Sequence, residues 1–314
     1  MPLQVPATPA SKLRQPDPVA TIIPFDRNFD PPYGVVERLA PGLRRIVARN
    51  PGPFTFRGTA TFIIGEGNVA VIDPGPDVPD HISALLAGLG TEAISHILVT
   101  HTHLDHSPAA AAIKAATGAP TYGFGPHGRG PDGIEAGGDA DFLPDVTLQD
   151  GDAIEGIGWR LETLHTPGHT SNHLAFAWPD RKILFPGDLV MGWSTSVVSP
   201  PDGNMGDYLG SLDRLLERDD EVYWPTHGGP IRDPKPFVEA FIAHRRDREN
   251  EILACLKDGR EYISDMLPEI YANVPPAVHG AAARSLLAAL IYLVESGRVR
   301  CDGTADEKSR FFMS

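Results

Sequence analysis

The stretch Val99-Thr100-His101-Thr102-His103-Leu104-Asp105-His106-Ser107-Pro108 constrains this chain more than any other. Residues 94–100 before it are short and apolar and read as a buried strand. Side chains two apart on an extended segment point the same way, so His101 and His103 face one point in space. Asp105 and His106 follow where the chain turns toward an Ala-rich helix over 109–117, closed by Gly118, and can face a second point. Two imidazoles toward one cation, and a carboxylate with an imidazole toward another, begin a dinuclear metal site. Such a site needs further ligands from elsewhere in the chain.

Three later segments can supply them: Thr166-Pro167-Gly168-His169-Thr170, Phe185-Pro186-Gly187-Asp188 and Pro225-Thr226-His227-Gly228-Gly229, each after a strand-like run. Gly and Pro beside each candidate suit tight turns at strand ends. Cys255 and Cys301 are the only cysteines. One disulfide between them is conceivable but a disulfide framework is not, so any metal site upstream must use His and carboxylate.

Alternating strands and helices argue for layered α/β structure. Runs 59–65 and 68–73 flank a Glu66-Gly67 turn as a hairpin, and 79–89 has helical spacing at Ile82, Leu85, Leu86 and Leu89. Strands return at 158–164, 174–178, 182–185 and 222–224, with a helix at 208–217. Residues 118–145, which include Gly-Phe-Gly-Pro-His-Gly-Arg-Gly-Pro at 123–131, read as a long loop. Composition shifts after Pro236. A long helix ends near Gly259, Ser264 is placed to cap a second helix reaching Ala272, and a third spans 277–295. Two β-like runs, 298–301 and 310–313, then surround Gly303. Three helices and a hairpin make a winged-helix-like unit. The expected division is an irregular, Pro-punctuated arm (1–30), a catalytic domain (31–235) and a winged-helix-like domain (236–314).

These motifs, in this order, resemble the metallo-β-lactamase superfamily over roughly residues 35–235. The resemblance implies an α/β fold, the αββα sandwich, with ligands in loops along one edge of its sheets. It implies His101, His103 and His169 on one metal ion, Asp105, His106 and His227 on a second, and Asp188 bridging them. Zinc suits that set, and manganese or iron is compatible with it. Two divalent ions roughly 3.5–4 Å apart would lower the pKa of a shared water, giving a bridging hydroxide that attacks a polarised carbonyl or phosphoryl group. Asp105 would orient it and later take a proton. Asp73, in Ile72-Asp73-Pro74-Gly75, resembles the family's acid that holds a ligand His, or else only shapes its turn. His173 is placed to touch substrate or to brace a loop. Trp193, Tyr122 and Phe124 are placed to stack a base or pack an acyl group. His127, in the Gly-rich stretch, is placed to reach the site or, the favoured reading, is a solvated loop residue, and His81, His96, His165, His244 and His279 read as ordinary surface or core residues.

Asn50-Pro51-Gly52-Pro53-Phe54-Thr55-Phe56-Arg57-Gly58-Thr59, Met191-Gly192-Trp193-Ser194-Thr195-Ser196, the region 224–230 and the winged helix resemble the β-lactamase-like protein 2 subfamily. That similarity implies cleavage of single-stranded RNA. The alternative is hydrolysis of a small thioester, ester or lactone, as in glyoxalase-II-like relatives. Lactam-cleaving zinc enzymes usually lack the bridging Asp and are exported, and redox members lack the second site or carry a flavodoxin-like domain, so both fit less well. The formal charge of −14, from 27 basic and 41 acidic residues, opposes polyanions. Arg44, Arg45, Arg49 and Arg57, with Arg245, Arg246 and Arg248, could line a phosphate path; a solvated helix face accounts equally well for the last three. Helix 277–295 offers only Arg284 and His279, too few for a major-groove reader, which favours a structural or dimerising cap over a nucleic-acid-binding regulator. The apolar run 286–294 is about half of the ~20 residues that cross a bilayer. Residues 1–30 lack the basic start and apolar centre of a signal peptide. The expectation is therefore a cytoplasmic protein without a membrane partner, compatible with a homodimer.

Overall fold

Strands that are apolar at every position need cover on both faces, and this chain supplies it by stacking two sheets between helices. The computed structural model describes residues 21–128, 137–272 and 274–314. Most of the expected arm, and the end of the Gly-rich stretch, lie outside the described residues. The first sheet runs in chain order through β1 (Glu37–Ala40), β2 (Leu43–Val47), β3 (Ala60–Ile64), β4 (Asn68–Ile72), β5 (Ala93–Leu98), β6 (Thr121–Gly123) and β7 (Val146–Thr147). Pairing is antiparallel from β1 to β4 and parallel from β4 to β7. The parallel pairs need crossovers, and α1 (Pro79–Leu89) and α2 (Ala109–Thr117) provide the first two. The second sheet contains β8 (Ala153–Gly156), β9 (Trp159–His165), β10 (Leu174–Trp178), β11 (Ile183–Phe185) and β12 (Val222–Tyr223), with α3 (Met205–Leu216) crossing between the last two.

Side chains alternate faces along each strand. Phe62 and Ile64 of β3 and Ile72 of β4 meet Leu174, Phe176, Trp178 and Phe185 between the sheets. Ile63, Val69 and Val71, from the other face, pack under Leu85, Leu89 and Ile113 of α1 and α2. On the outer face of the second sheet, Ala175, Ala177 and Leu184 pack against Tyr208 and Leu212 of α3. The expected αββα sandwich is therefore present.

The helix α4 (Pro234–Lys257) belongs to two cores, and the boundary expected at 235/236 falls in its first turn. Phe237, Val238, Phe241 and Ile242 join the outer core of the second sheet. Ile252, Cys255 and Leu256 join α5 (Ile263–Ile270), α6 (His279–Glu295) and the β13–β14 hairpin (Val299–Cys301 with Phe311–Met313), a winged helix. Residues 21–30 are irregular, as expected, yet docked: Phe25 packs edge-on against Phe237 and Phe241, and the Thr21 N–H donates to Asp247.

Several expectations need correction. Residues 118–145 are not one loop, because β6 opens the segment by extending the parallel sheet. Ser264 does not cap α5; the helix begins at Ile263 and has no side-chain cap. α3 starts earlier than expected, where the Asn204 side chain accepts from the Asp207 N–H. Cys255 and Cys301 are both free thiols. The segment Pro276–Glu295 is long and apolar enough, by length and composition, to cross a membrane. Here Leu286, Leu290 and Leu293 of this helix are buried in the winged-helix core and Ala288 in the core of the second sheet. Phe176, fully buried between the sheets, gives a direct test of the sandwich. Phe176→Ala should cost about 3–5 kcal/mol of unfolding free energy, read as a fall in the urea midpoint at unchanged slope.

Candidate metal centre

Each expected ligand leaves a loop just after a strand. His101, His103, Asp105 and His106 follow β5, His169 follows β9, Asp188 follows β11 and His227 follows β12. Two glycines in these turns are sterically required. Gly168 has φ +129°, and a Cβ there would lie 2.3 Å from the Tyr208 backbone. Gly187 has φ +52°, and its Cβ would lie 2.7 Å from His173 Nε2. The loops therefore pass close enough together for all seven side chains to converge.

They form three overlapping triads, His101/His103/His169, His101/His106/Asp188 and Asp105/His106/His227, with ligand atoms within 4.8 Å of one another in each. His103 Nδ1 stands 2.9 Å from His101 Nε2 and 3.1 Å from His169 Nε2. Asp105 Oδ2 lies 3.1 Å from His227 Nε2 and 3.4 Å from His106 Nε2. Asp188 Oδ2 sits between the groups, 3.4 Å from His227, 3.6 Å from His106 and 3.8 Å from His169. All of the residues expected as metal ligands are thus brought together.

The far side of each ring sets its tautomer, since a ring nitrogen facing an acceptor must carry the proton. His169 Nδ1–H donates to the Val197 carbonyl (2.6 Å), His227 Nδ1–H to the Gly58 carbonyl (3.2 Å) and His106 Nδ1–H to Asp73 Oδ2 (2.9 Å). Thr100 gives its hydroxyl proton to Asp73, so its oxygen accepts from His101 Nδ1–H (3.1 Å). All four rings consequently aim Nε2 into the cluster.

The electrostatics ask for a cation. Burial opposes charge on His227, but Asp188 and Asp105 outweigh it and push the ring up to about 10. His106, also penalised by burial, is raised well above the ordinary histidine value by Asp105, Asp188 and Asp73. At the other end burial, then His103, lower His169 to about 4. His106 Nε2 and Asp188 Oδ1 are buried without a hydrogen-bond partner, an arrangement that costs energy unless something positive is shared between them. A donor set of imidazole nitrogens and carboxylates fits divalent metal ions.

Asp73 does more than shape a turn. Its wholly buried carboxylate accepts from the Thr100 N–H and hydroxyl, the Thr226 hydroxyl and His106. Its backbone holds φ +50°, a strained value for a residue with a side chain. His173 braces rather than reaching substrate. Buried, it accepts the Asp188 N–H at Nε2 (3.1 Å) and donates from Nδ1 to Thr166 Oγ1. Trp193 stacks face-to-face on Phe56, with centroids 4.9 Å apart.

His127 was expected in solvent and is buried: its Nδ1 lies 2.9 Å from Thr102 Oγ1 and its ring 5.7 Å from that of His103. Asn172 pins this segment by donating to Thr102 Oγ1 and to the Gly125 and Pro126 carbonyls. Tyr122 and Phe124 do not join the site; they pack against the inter-sheet core. Sequence reasoning missed the role of Thr59. Asn50 Nδ2 donates to Thr59 Oγ1, so the Thr59 hydroxyl points its proton at Asp105 Oδ2, 2.9 Å away. Both residues lie within the Asn50-to-Thr59 stretch, but nothing in their spacing marks them as partners of Asp105.

Comparisons with known proteins give the family and the fold. Residues 54–227 match the Metallo-beta-lactamase superfamily and residues 263–308 the Beta-lactamase associated winged helix domain. The chain is 32% identical to a Beta-lactamase-like protein 2 homolog of Caenorhabditis elegans, over 84% of this chain and 88% of that protein. It is 28% identical to an Atrochrysone carboxyl ACP thioesterase of Aspergillus chevalieri, over 80% of this chain and 77% of that one. A Beta-lactamase domain protein from Burkholderia ambifaria shares the fold, with a TM-score of 0.77 at 20% identity over 91% of this chain and 96% of its own.

Asp73→Asn keeps the shape of the buried carboxyl and removes its charge. It should weaken metal binding by about 10–100-fold, measured by competition with a chromophoric chelator. Unchanged affinity would show that Asp73 serves only the turn.

Proposed function

We propose, for a chain that belongs to the metallo-beta-lactamase superfamily and is a metal-dependent hydrolase, that the bond it cleaves is an acyl thioester. His101, His103 and His169 would hold one zinc ion, Asp105, His106 and His227 a second, with Asp188 between them. Two such ions would supply Lewis acidity toward a carbonyl oxygen and a water acidic enough to attack near neutral pH.

The chain's own groups do the rest. His106 and His227 are sealed in, whereas the Asp105 side chain keeps 25% of its surface exposed. Thr59 fixes its orientation through the bond to Oδ2, so the Asp105 carboxylate is placed to orient a nucleophile and accept its proton. The Gly192 N–H donates to the His227 carbonyl and Gly58 holds the His227 ring, so Trp193 and Phe56 stand beside this ligand as an apolar wall for an acyl group. A thiol pKa of about 8.5 makes thiolate a leaving group that needs little help from an acid.

The single observation that carries the thioester reading over RNA is the fate of the arginines. Arg44 is spent on Glu92, Arg45 on Glu37 and Arg248 on Glu251 and the Ile270 carbonyl, while Arg245 is buried. Phosphodiester recognition needs free cations along a path, and of the seven arginines only Arg49, Arg57 and Arg246 stand exposed, Arg49 over the Tyr33 ring and Arg57 3.9 Å from Asp30. The thioesterase named above, similar over most of the chain, points the same way. Single-stranded RNA stays as the second reading because of the similarity to Beta-lactamase-like protein 2 homologs and because Arg57 lies exposed two residues before Thr59.

The test offers zinc-loaded protein a series of small acyl thioesters, with thiol release as readout, beside end-labelled single-stranded RNA. Thiol release that falls by at least about 100-fold in Asp105→Ala supports the proposal, general-base catalysis being worth that much. RNA cleavage without thiol release, lost in the same variant, overturns it. Trp193→Ala should raise KM for the bulkier acyl groups of that series more than it lowers kcat, the mark of an interaction made equally in ground and transition states.

A further inference from the structure

Arg245, in the middle of α4, is only 6% exposed, and among the described residues no carboxylate pairs with it. A guanidinium removed from water without a counter-ion is costly, and is tolerated where the protein supplies oriented acceptors. Arg245 has two. Its Nη2 donates to the Ser196 carbonyl, and its Cζ lies 5.0 Å over the Tyr208 ring. Its Nε has no partner, and the residue lines a small cavity with Glu249 and Ser285. Arg248, lining the same cavity, also leaves its Nε unpartnered, but its Nη1 is held within its own region by Glu251 and the Ile270 carbonyl.

Both contacts of Arg245 lead to the same place. Ser196 Oγ donates to the carbonyls of Asp188 (2.5 Å) and Leu189 (3.0 Å), and the Tyr208 hydroxyl donates to the Leu189 carbonyl (2.9 Å). The residue after Ser196 is Val197, whose carbonyl fixes the His169 tautomer. Arg245 therefore grips the segment that carries one cluster carboxylate at its start and orients a cluster imidazole from its end.

We infer that Arg245 is a positioning residue for the metal centre: it fixes segment 188–197 so that Asp188 and His169 meet their partners, and the C-terminal helices act through it as a clamp on the site. The inference rests on the metal-centre reading above but not on the identity of the substrate.

The test titrates Zn2+ into metal-free full-length protein against a chromophoric chelator and follows amide exchange in 188–199. Arg245→Met keeps the side-chain bulk and removes the donors; it should weaken zinc binding by about 10–100-fold, the usual effect of losing a group that orients a ligand, and speed exchange in that segment. Arg245→Lys, which retains a cationic N–H donor group, should recover part of the affinity. Arg248→Met should leave zinc affinity unchanged. Wild-type affinity in Arg245→Met, or an equal loss in Arg248→Met, overturns the inference. Should Arg245→Met not fold, Ser196→Ala cuts the next link and should lower zinc affinity in the same range; unchanged affinity there overturns it too. Wild-type protein that binds zinc but releases no thiol refutes the thioester proposal alone, whereas wild-type protein that binds no zinc refutes both.

Discussion

The Asp73 carboxylate is the point at which the two sheets and the metal-ligand loop are joined. It ends β4, accepts from Thr100 at the end of β5 and from His106 in the ligand loop, and takes the Thr226 hydroxyl from the turn after β12 in the other sheet. A carboxylate with no exposure is tolerated when several donors converge on it, and it then rigidifies what it binds. The strained backbone at Asp73 is a cost accepted at that junction. From it follow the direction of the His106 ring, the rotamer of Thr100 and, through Thr100, the tautomer of His101.

Around that junction the sandwich supplies rigidity and the loops supply chemistry. Strand ends from both sheets stop at one edge, so short turns deliver ligands from four separate segments without a long flexible loop. Close packing between turns is enforced where only glycine fits, at Gly168 against Tyr208 and at Gly187 against His173. The cluster that results holds carboxylates and imidazoles in unequal environments. Carboxylates outweigh burial and raise His227 and His106, whereas burial, then neighbouring imidazoles, lowers His169 and His101. Divalent cations resolve that imbalance, which is why this donor set suits metal binding.

The C-terminal helices contribute in a way that a winged helix alone does not suggest. α6, the element that would enter a nucleic-acid groove, is buried along much of its length, with Ala288 in the core of the second sheet. α4 divides its apolar residues between that core and the winged-helix core. Most of the buried side chains of α6 fill the winged-helix core, Ala288 reaches the core of the second sheet, and Arg245 of α4 carries the contact into the segment that follows Asp188.

Much of this was legible in residue order. The spacing of His101, His103, Asp105 and His106 after an apolar strand, with Gly-flanked His169, Asp188 and His227 after later ones, determined which side chains would meet, because strand ends and tight turns are local properties. The order of strand-like and helical runs, with the helical spacing of 79–89, likewise pointed to the layers. Tertiary structure alone decided the partners that hold those ligands. The pairings of Thr59 with Asp105, of Asn172 with the 125–127 segment and of Ser196 with Asp188 join residues far apart in sequence or fixed by turn geometry, and polar side chains carry no periodic signal. The same reason misplaced His127 and Arg245: burial of a polar residue depends on what folds over it, and here that cover comes from Asn172 and from the Ser196 segment.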